Sequence, residues 1–299
     1  MSRSQLRQFL APALVAASRA GEAILEFYES DFDVTYKDDD TPLTLADESA
    51  HRAVWDHLTT ETPGHFPILS EEGKQTPYEE RKRWDYFWLV DPLDGTKEFI
   101  KGRDEFSVNI ALIRKNRPVL GVVFLPALGS FYFAAEGIGS YKLEDLEAVE
   151  QLTGEQGQPQ QDEVLLDALL AAAIRLPIHQ PPKSSRDKVV LVGSRSHATK
   201  ALTDFVHNVE QRYEKVEFTP AGSALKFCLV AEGRADIYPR LSPTMEWDTA
   251  AGHCVVEQSG GKVVRVAERN SLDYNKRDLR NPHFICMGKY SQDIQLESI

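Results

Sequence analysis

The sequence predicts a mixed α/β (α+β) chain, with helices packed on an antiparallel sheet in the first half and an α/β lobe in the second. Three patterns carry this: apolar residues at helical spacing near the N-terminus, four apolar runs punctuated by Gly and Pro between residues 87 and 141, and strands alternating with helices beyond residue 188. Leu6, Phe9, Leu10, Leu14, Ala17, Ile24, Leu25 and Tyr28 set a first amphipathic helix over about 4–29. FLAPALVAASRA at 9–20 has the composition of a short signal h-region, but the helical spacing runs straight through it. A loop containing DDDTPLT follows, then a helix from Asp47 to about Leu58, a short strand ending at Ser70 and an acidic turn. FWLVD (87–91), FSVNIALIRK (106–115), PVLGVVFLP (118–126) and SFYFAAEGIGSY (130–141) read as strands.

Residues 142–187 change character to polar, Glu/Gln-rich sequence around one apolar segment, VLLDALLAAAI, and read as an insert or linker carrying one helix. Residues 1–141 then form an N-terminal α+β lobe and 188–299 a C-terminal α/β lobe. The second lobe is read as the strand KVVLVGSRSH (188–197), a helix around 198–213, a strand near Val216–Thr219, the stretch GSALKFCLVAEGRADIYPR and a helix after Trp247.

Bulk properties exclude several classes. The net charge is −12, from 34 Lys and Arg against 46 Asp and Glu, which argues against a partner that is a nucleic-acid polymer. An acidic protein that handles phosphate must recruit cations locally. Cys228, Cys254 and Cys286 are too few and too scattered for a disulfide framework and have no zinc spacing, so they are expected as reduced, buried thiols in a cytoplasmic protein. No run of about 18 apolar residues exists to span a membrane, and no lipidation motif marks a membrane anchor. Peripheral association with the cytoplasmic face of an inner membrane and homodimer formation are left open.

The chemistry lies in SEEG (70–73), WLVDPLDGTKEF (88–99) and EWDTAAGHCVVEQSGG (246–261). An apolar strand ends at Asp91, Pro92 is expected to block its continuation, and Asp94-Gly95-Thr96 has the composition of a turn opening a helix. Such a turn aims Asp91, Asp94, the Leu93 carbonyl and the Thr96 hydroxyl at one small volume, a set of hard oxygen donors suited to Mg²⁺. Asp248 directly precedes a helical stretch and is expected at its N-cap, where free N–H groups and the helix dipole favour a phosphate. Glu71 and Glu72 supply a further ligand and a base or outer anion. Each motif alone has a bland reading as a turn, a cap or a solvated pair; their joint occurrence along one chain is what points to a site.

Together with TPLTLADESAH, FSVNIALI, VGSRSHA and GSALKFCLVAEGRADIYPR, these motifs resemble the inositol monophosphatase superfamily of Mg²⁺-dependent, Li⁺-sensitive phosphatases, and within it the branch of 3′(2′),5′-bisphosphate nucleotidases of the bacterial CysQ type. The similarity runs from roughly residue 5 to 290. It implies the layered α/β/α/β/α sandwich of the inositol monophosphatase / fructose-1,6-bisphosphatase type and two to three Mg²⁺ ions. It also implies Glu71, Asp91, the Leu93 carbonyl, Asp94 and Asp248 as metal ligands, Asp47 paired with Thr96 to activate the attacking water, and Glu72 near a weakly held third metal. Residues 93–96, including Gly95, match the phosphate-contacting turn.

Substrate choice is expected in the C-terminal lobe. Arg240 is basic in a region where the resemblance leads one to expect an acidic residue in inositol-specific members, and Lys226 adds a second cation, as binding a second phosphate requires. Gly222 and Ser223 precede Lys226, and Ser194, Arg195, Ser196 and His197 form a polar turn that could contact a nucleotide. The leading expectation is hydrolysis of adenosine 3′,5′-bisphosphate to AMP and phosphate, with the sulfated precursor as a further substrate, in sulfur assimilation. An inositol monophosphatase or broad-specificity sugar phosphatase is the alternative, and a silent Mg²⁺- and anion-binding module the alternative from another class.

Overall fold

The computed structural model describes residues 1–28, 35–36, 42–43, 45–62, 66–153, 159–180, 188–194 and 199–292. The chain runs through helix α1 (Arg3–Tyr28), the short strands β1 (Thr35–Tyr36) and β2 (Pro42–Leu43), α2 (Leu45–Glu61), β3 (Ile68–Ser70), α3 (Tyr78–Arg81), β4 (Tyr86–Asp94) and α4 (Thr96–Ile100). Strands β5 (Ser107–Arg114), β6 (Arg117–Leu125), β7 (Ser130–Ala135) and β8 (Gly139–Leu143) follow, then α5 (Leu146–Glu150), α6 (Pro159–Ala172) and β9 (Ile174–Arg175). The remainder is β10 (Lys188–Gly193), α7 (Lys200–Glu210), β11 (Lys215–Pro220), α8 (Leu225–Glu232), β12 (Ile237–Arg240), α9 (Ala250–Gln258), β13 (Lys262–Arg265) and β14 (Phe284–Met287).

Among the described residues, β3 to β9 form a seven-stranded sheet in sequence order, and a five-stranded sheet has the order β11-β10-β12-β14-β13. Residue alternation decides what packs on each face. Trp88 and Val90 of β4 enter one core with Leu10, Leu14 and Ile24 of α1 and Ala50 and Val54 of α2. Phe87 and Leu89 enter another, with Phe227 of α8, Cys254 and Val255 of α9, and Tyr238 and Phe284 of the second sheet. The far face of that sheet packs Leu191, Ile237 and Ile285 on Phe205 and Val209 of α7. The architecture is therefore the α/β/α/β/α sandwich: α1 and α2, first sheet, α8 and α9, second sheet, α7. Leu10, Leu14 and Ile24 are fully buried, worth roughly 2 kcal/mol each by apolar burial, which makes the signal-like stretch part of the core.

Four local expectations need correction. The first sheet is not purely antiparallel, because β3 runs parallel to β4. Pro92 does not end its strand: pairing resumes at Asp94 opposite Ser107, with a register shift after Asp91, because a bulge lets a residue without an N–H sit where the ladder needs none. The single strand expected over 130–141 is β7 and β8 joined by a turn. Within 142–187, α5 and β9 accompany the expected helix; Leu166 and Leu169 of α6 are buried in the α1 core, and β9 pairs with β8 as the edge of the first sheet.

Helix α9 crosses the first sheet at Gly121 of β6. A Cβ there would stand 2.5 Å from the Ala251 carbonyl oxygen and 2.9 Å from the Cys254 Cβ, so only glycine permits this approach. Gly121→Val is expected to cost about 1–3 kcal/mol as overpacking, read as a lowered urea midpoint at unchanged m-value; an unshifted midpoint would show that α9 moves off the sheet freely.

Candidate active site

Three carboxylates from different parts of the chain meet at one end of the first sheet. The Glu71 N–H donates to the Val90 carbonyl at 3.1 Å, which extends the β3–β4 pairing by one residue and sets Glu71 beside Asp91. Asp248 arrives from the turn before α9. One carboxylate oxygen from each of Glu71, Asp91 and Asp248 lies within 4.8 Å of the others. Asp91 is 1% exposed, and among the described residues neither of its carboxylate oxygens has a hydrogen-bond donor apart from the Glu71 carboxyl beside it. Buried polar atoms are rarely left so. A donor set of hard oxygens with an orphaned buried carboxylate at its centre fits a divalent cation.

The electrostatics agree. Burial, then the charges of Glu71, Asp94, Asp248 and Asp47, hold the Asp91 carboxyl well above the usual range. Burial and Asp94 push Asp248 up to about 8, against the stabilising Met245 N–H. Glu71 keeps exposed surface, yet desolvation followed by the charges of Asp94 and Glu72 pushes it to about 7. Each like charge disfavours ionisation of its neighbours.

The remaining expected residues fall around this cluster. Asp47, on the first turn of α2, is buried and directs its charge at Asp91; Glu72 does the same to Glu71. Pro92 and Leu93 form the bulge outside the ladder register, while the Leu93 side chain anchors in the core. Gly95 has φ +95, and a Cβ there would meet the Glu105 carbonyl, Phe106 and Ser223 at 3.3 Å; this tight turn opens α4 at Thr96. Asp248 is not the N-cap of α9. Thr249 holds that position, without a side-chain cap bond, and Asp248 turns its Oδ2 to the Met245 N–H at 2.9 Å instead, which leaves Oδ1 for the cluster.

The facing wall comes from the second lobe, across a cleft of about 100 Å³ that Asp94, Ser194, Lys226, Arg240 and Asp248 all line. The Ser223 hydroxyl donates to Asp94 Oδ2 at 2.5 Å from a backbone with φ +45, an uncommon conformation for a residue with a Cβ. The Gly222 N–H donates to Glu105 Oε2 at 2.8 Å. Lys226 is 5% exposed, donates to the Ser223 carbonyl at 2.5 Å and is lowered to about 8, first by burial. Arg240 spends its Nε and one terminal nitrogen on the Ser242 and Pro243 carbonyls. Arg195, Ser196 and His197 lie outside the described residues.

Sequence reading missed Glu105, Lys97 and Glu98 at the cleft, and also Glu246, which is fully buried immediately before Trp247-Asp248. A charged residue inside the otherwise apolar approach to a helix was the only available signal for Glu246.

Comparison with known proteins agrees with the geometry. The profile described as the inositol monophosphatase family matches residues 5–296. The chain belongs to the inositol monophosphatase family. Within that family it is 41% identical to the 3′(2′),5′-bisphosphate nucleotidase CysQ of Salmonella typhimurium over 90% of this chain and 95% of the relative, and 37% identical to the protein of the same name from Haemophilus influenzae over 94% and 93%. The crystal structure of CysQ from Bacteroides thetaiotaomicron superposes with a TM-score of 0.81 at 43% identity, covering 94% of this chain and 98% of that one. A Thermotoga maritima IMPase shares the fold at 21% identity and a TM-score of 0.68.

A family member with carboxylates raised in this way binds protons more tightly folded than unfolded. After chelation of divalent cations its stability should fall as the pH rises from the ordinary carboxylate range through about 7 for Glu71 and about 8 for Asp248. Melting curves of chelated protein across that range are expected to show the decline, Mg²⁺ to reverse it at pH 8, and Asp91→Asn to flatten both effects. A chelated wild type equally stable at pH 5 and pH 8 would contradict the electrostatic account.

Proposed function

We propose that this chain is a Mg²⁺-dependent phosphomonoesterase, a 3′(2′),5′-bisphosphate nucleotidase that hydrolyses adenosine 3′,5′-bisphosphate to AMP and phosphate. The observation that supports this most is that Asp248, one of the three carboxylates clustered with Glu71 and Asp91, lines the same cleft as Asp94, Lys226 and Arg240. One region suits the cation-assisted transfer of a phosphoryl group, and the other suits an anion that stays behind. The names carried by the relatives at 37% and 41% identity agree with this reading, whereas none of the described residues of the cleft favours an inositol monophosphatase or sugar phosphatase.

In this reading Glu71, Asp91, the Leu93 carbonyl, Asp94 and Asp248 hold two to three Mg²⁺ ions, with Glu72 near the most weakly held. When bound, the cations act as Lewis acids and lower the pKa of bound water. Asp47 and Thr96 orient the attacking water and accept its proton. The turn through Gly95, with the N–H groups that open α4, receives the phosphate to be transferred. Lys226 keeps most of its charge at pH 7, given a pKa of about 8. Its ammonium carries three donors, two of which point at the Ser223 and Ala221 carbonyls, so the third can meet the second phosphate. Ser194, Arg195, His197, Gly222, Ser223 and Arg240 complete the substrate wall. The chain then works in the cytoplasm on a small nucleotide, not on a polymer.

Mg²⁺-dependent phosphate release from adenosine 3′,5′-bisphosphate and from inositol 1-phosphate, measured side by side, tests the assignment. The nucleotide is expected to win by about tenfold or more in kcat/KM, or about 1.4 kcal/mol. Lys226→Met should remove most of that preference while leaving turnover of inositol 1-phosphate in place, and Asp91→Asn should lower both activities by at least about 100-fold. Preference for inositol 1-phosphate would leave the phosphatase and overturn the substrate.

A further inference from the structure

Glu71 and Asp248 come from opposite lobes and still sit within 4.8 Å. When both are ionised neither carboxylate can hold the other, so the pair has to be fixed from behind. A polar chain, buried at Arg81 and Glu246 and half-buried at Asn275 and Lys276, links the loop that carries Glu71 to the turn that carries Asp248. Arg81, 3% exposed on α3, donates Nε to the Thr76 carbonyl at 3.1 Å, at the far end of the loop that begins with Glu71 and Glu72. Its two terminal nitrogens cross to the C-terminal lobe and donate to Asn275 Oδ1 at 2.8 Å and the Arg277 carbonyl at 3.1 Å. Asn275 answers through Nδ2 to the Arg81 carbonyl at 2.7 Å.

The chain continues to Asp248. The backbone N–H groups of Asn275 and Lys276 donate to the two oxygens of Glu246 at 2.6 and 2.9 Å, and Lys276 Nζ adds a third contact at 2.6 Å. Glu246 is 0% exposed and is two residues from Asp248, so fixing its carboxylate fixes the turn that aims Asp248. Asn275 adopts φ +63, a left-handed conformation that asparagine tolerates better than other side chains, and this aims successive N–H groups at one carboxylate.

We propose that Arg81, Asn275 and Glu246 form a bridge that positions Glu71 and Asp248 at the spacing the cations require. They are positioning residues: none lines the cleft, and all act through the backbone of a ligand-bearing loop. The inference rests on the metal reading of the acidic cluster, and outer partners of metal ligands commonly set metal affinity by about 10–100-fold.

The test is calorimetric titration of the purified full chain with Mn²⁺, alongside Mg²⁺-dependent kinetics. Arg81→Met should weaken Mn²⁺ binding and raise the Mg²⁺ half-saturation by about tenfold or more, while the substrate KM at saturating Mg²⁺ moves by less than about twofold, a split that general destabilisation would not produce. Glu246→Gln should do likewise, and the double variant should lose less than the product of the two single losses, because both break one bridge. Asn275→Ala, which keeps both backbone N–H groups, serves in the same way if Arg81→Met is not recovered folded. Unchanged Mn²⁺ affinity in folded Arg81→Met or Asn275→Ala, or fully multiplicative losses, would overturn the bridge. Undiminished Mn²⁺ binding in Asp91→Asn would instead overturn the metal reading beneath it.

Discussion

Three carboxylates closer together than their charges allow are the constraint around which the molecule is organised. Two ionised carboxylates 4–5 Å apart repel by about 3–4 kcal/mol even at an effective dielectric constant near 20, and Asp91 adds the cost of burial with, among the described residues, no hydrogen-bond donor apart from the Glu71 carboxyl. Such a site relaxes if it can: side chains swing to water, or the turn that carries them shifts. For Asp91, 1% exposed, neither is available. Asp91 lies within β4, held between β3 and β5, the Glu71 backbone is tied to that strand by its own N–H, and Asp248 is bound to the Met245 N–H. What remains is to take up a proton or a cation, and the raised pKa values of all three express that demand.

The same constraint explains how a chain of net charge −12 can receive a polyanion. Summed charge sets a long-range field that salt screens within about 10 Å, but in the proposed function binding is decided inside the cleft, where Lys226 and Arg240 face Asp94 and Asp248. Burial lowers the Lys226 pKa to about 8, and Asp94, Glu98 and Glu105 work against that loss. The acidic side of the cleft therefore helps keep the basic side charged. Removing either wall changes the protonation of the other, so the two regions act as one electrostatic unit rather than as separate subsites.

Legibility in the sequence followed the range of the interactions involved. The strands and helices that end at the site were readable because each ligand-bearing motif is local: a strand runs into Glu71, another into Asp91, and a helix follows Asp248. The family motifs then gave the layered sandwich. The misreadings have local causes too. Pro92 normally ends a strand, and only the bulge against Val108 rescues it. Asp commonly caps helices, but Asp248 is drawn one residue further out by the Met245 N–H, leaving Thr249 in the cap position. Glu246 and Arg81 were invisible for a different reason. Their partners lie 30 and 194 residues away, and no periodicity or spacing announces a contact at that separation.

Residues 142–187 show why composition is a poor guide to connection. Their polar, Glu/Gln-rich character suggested a joint between lobes, yet β9 and the buried leucines of α6 belong to the first sheet and its helix layer. What joins the lobes is the core shared by Phe87, Leu89 and Ala111 on one side and Phe227, Cys254 and Phe284 on the other, closed by α9 lying on Gly121. Because that core and the polar chain behind Glu246 both span the lobes, the spacing of Asp91 and Asp248 is set by packing rather than by linker length. The length of a segment such as 142–187 then does not set where a ligand sits, whereas one methyl group added under α9 at Gly121 does.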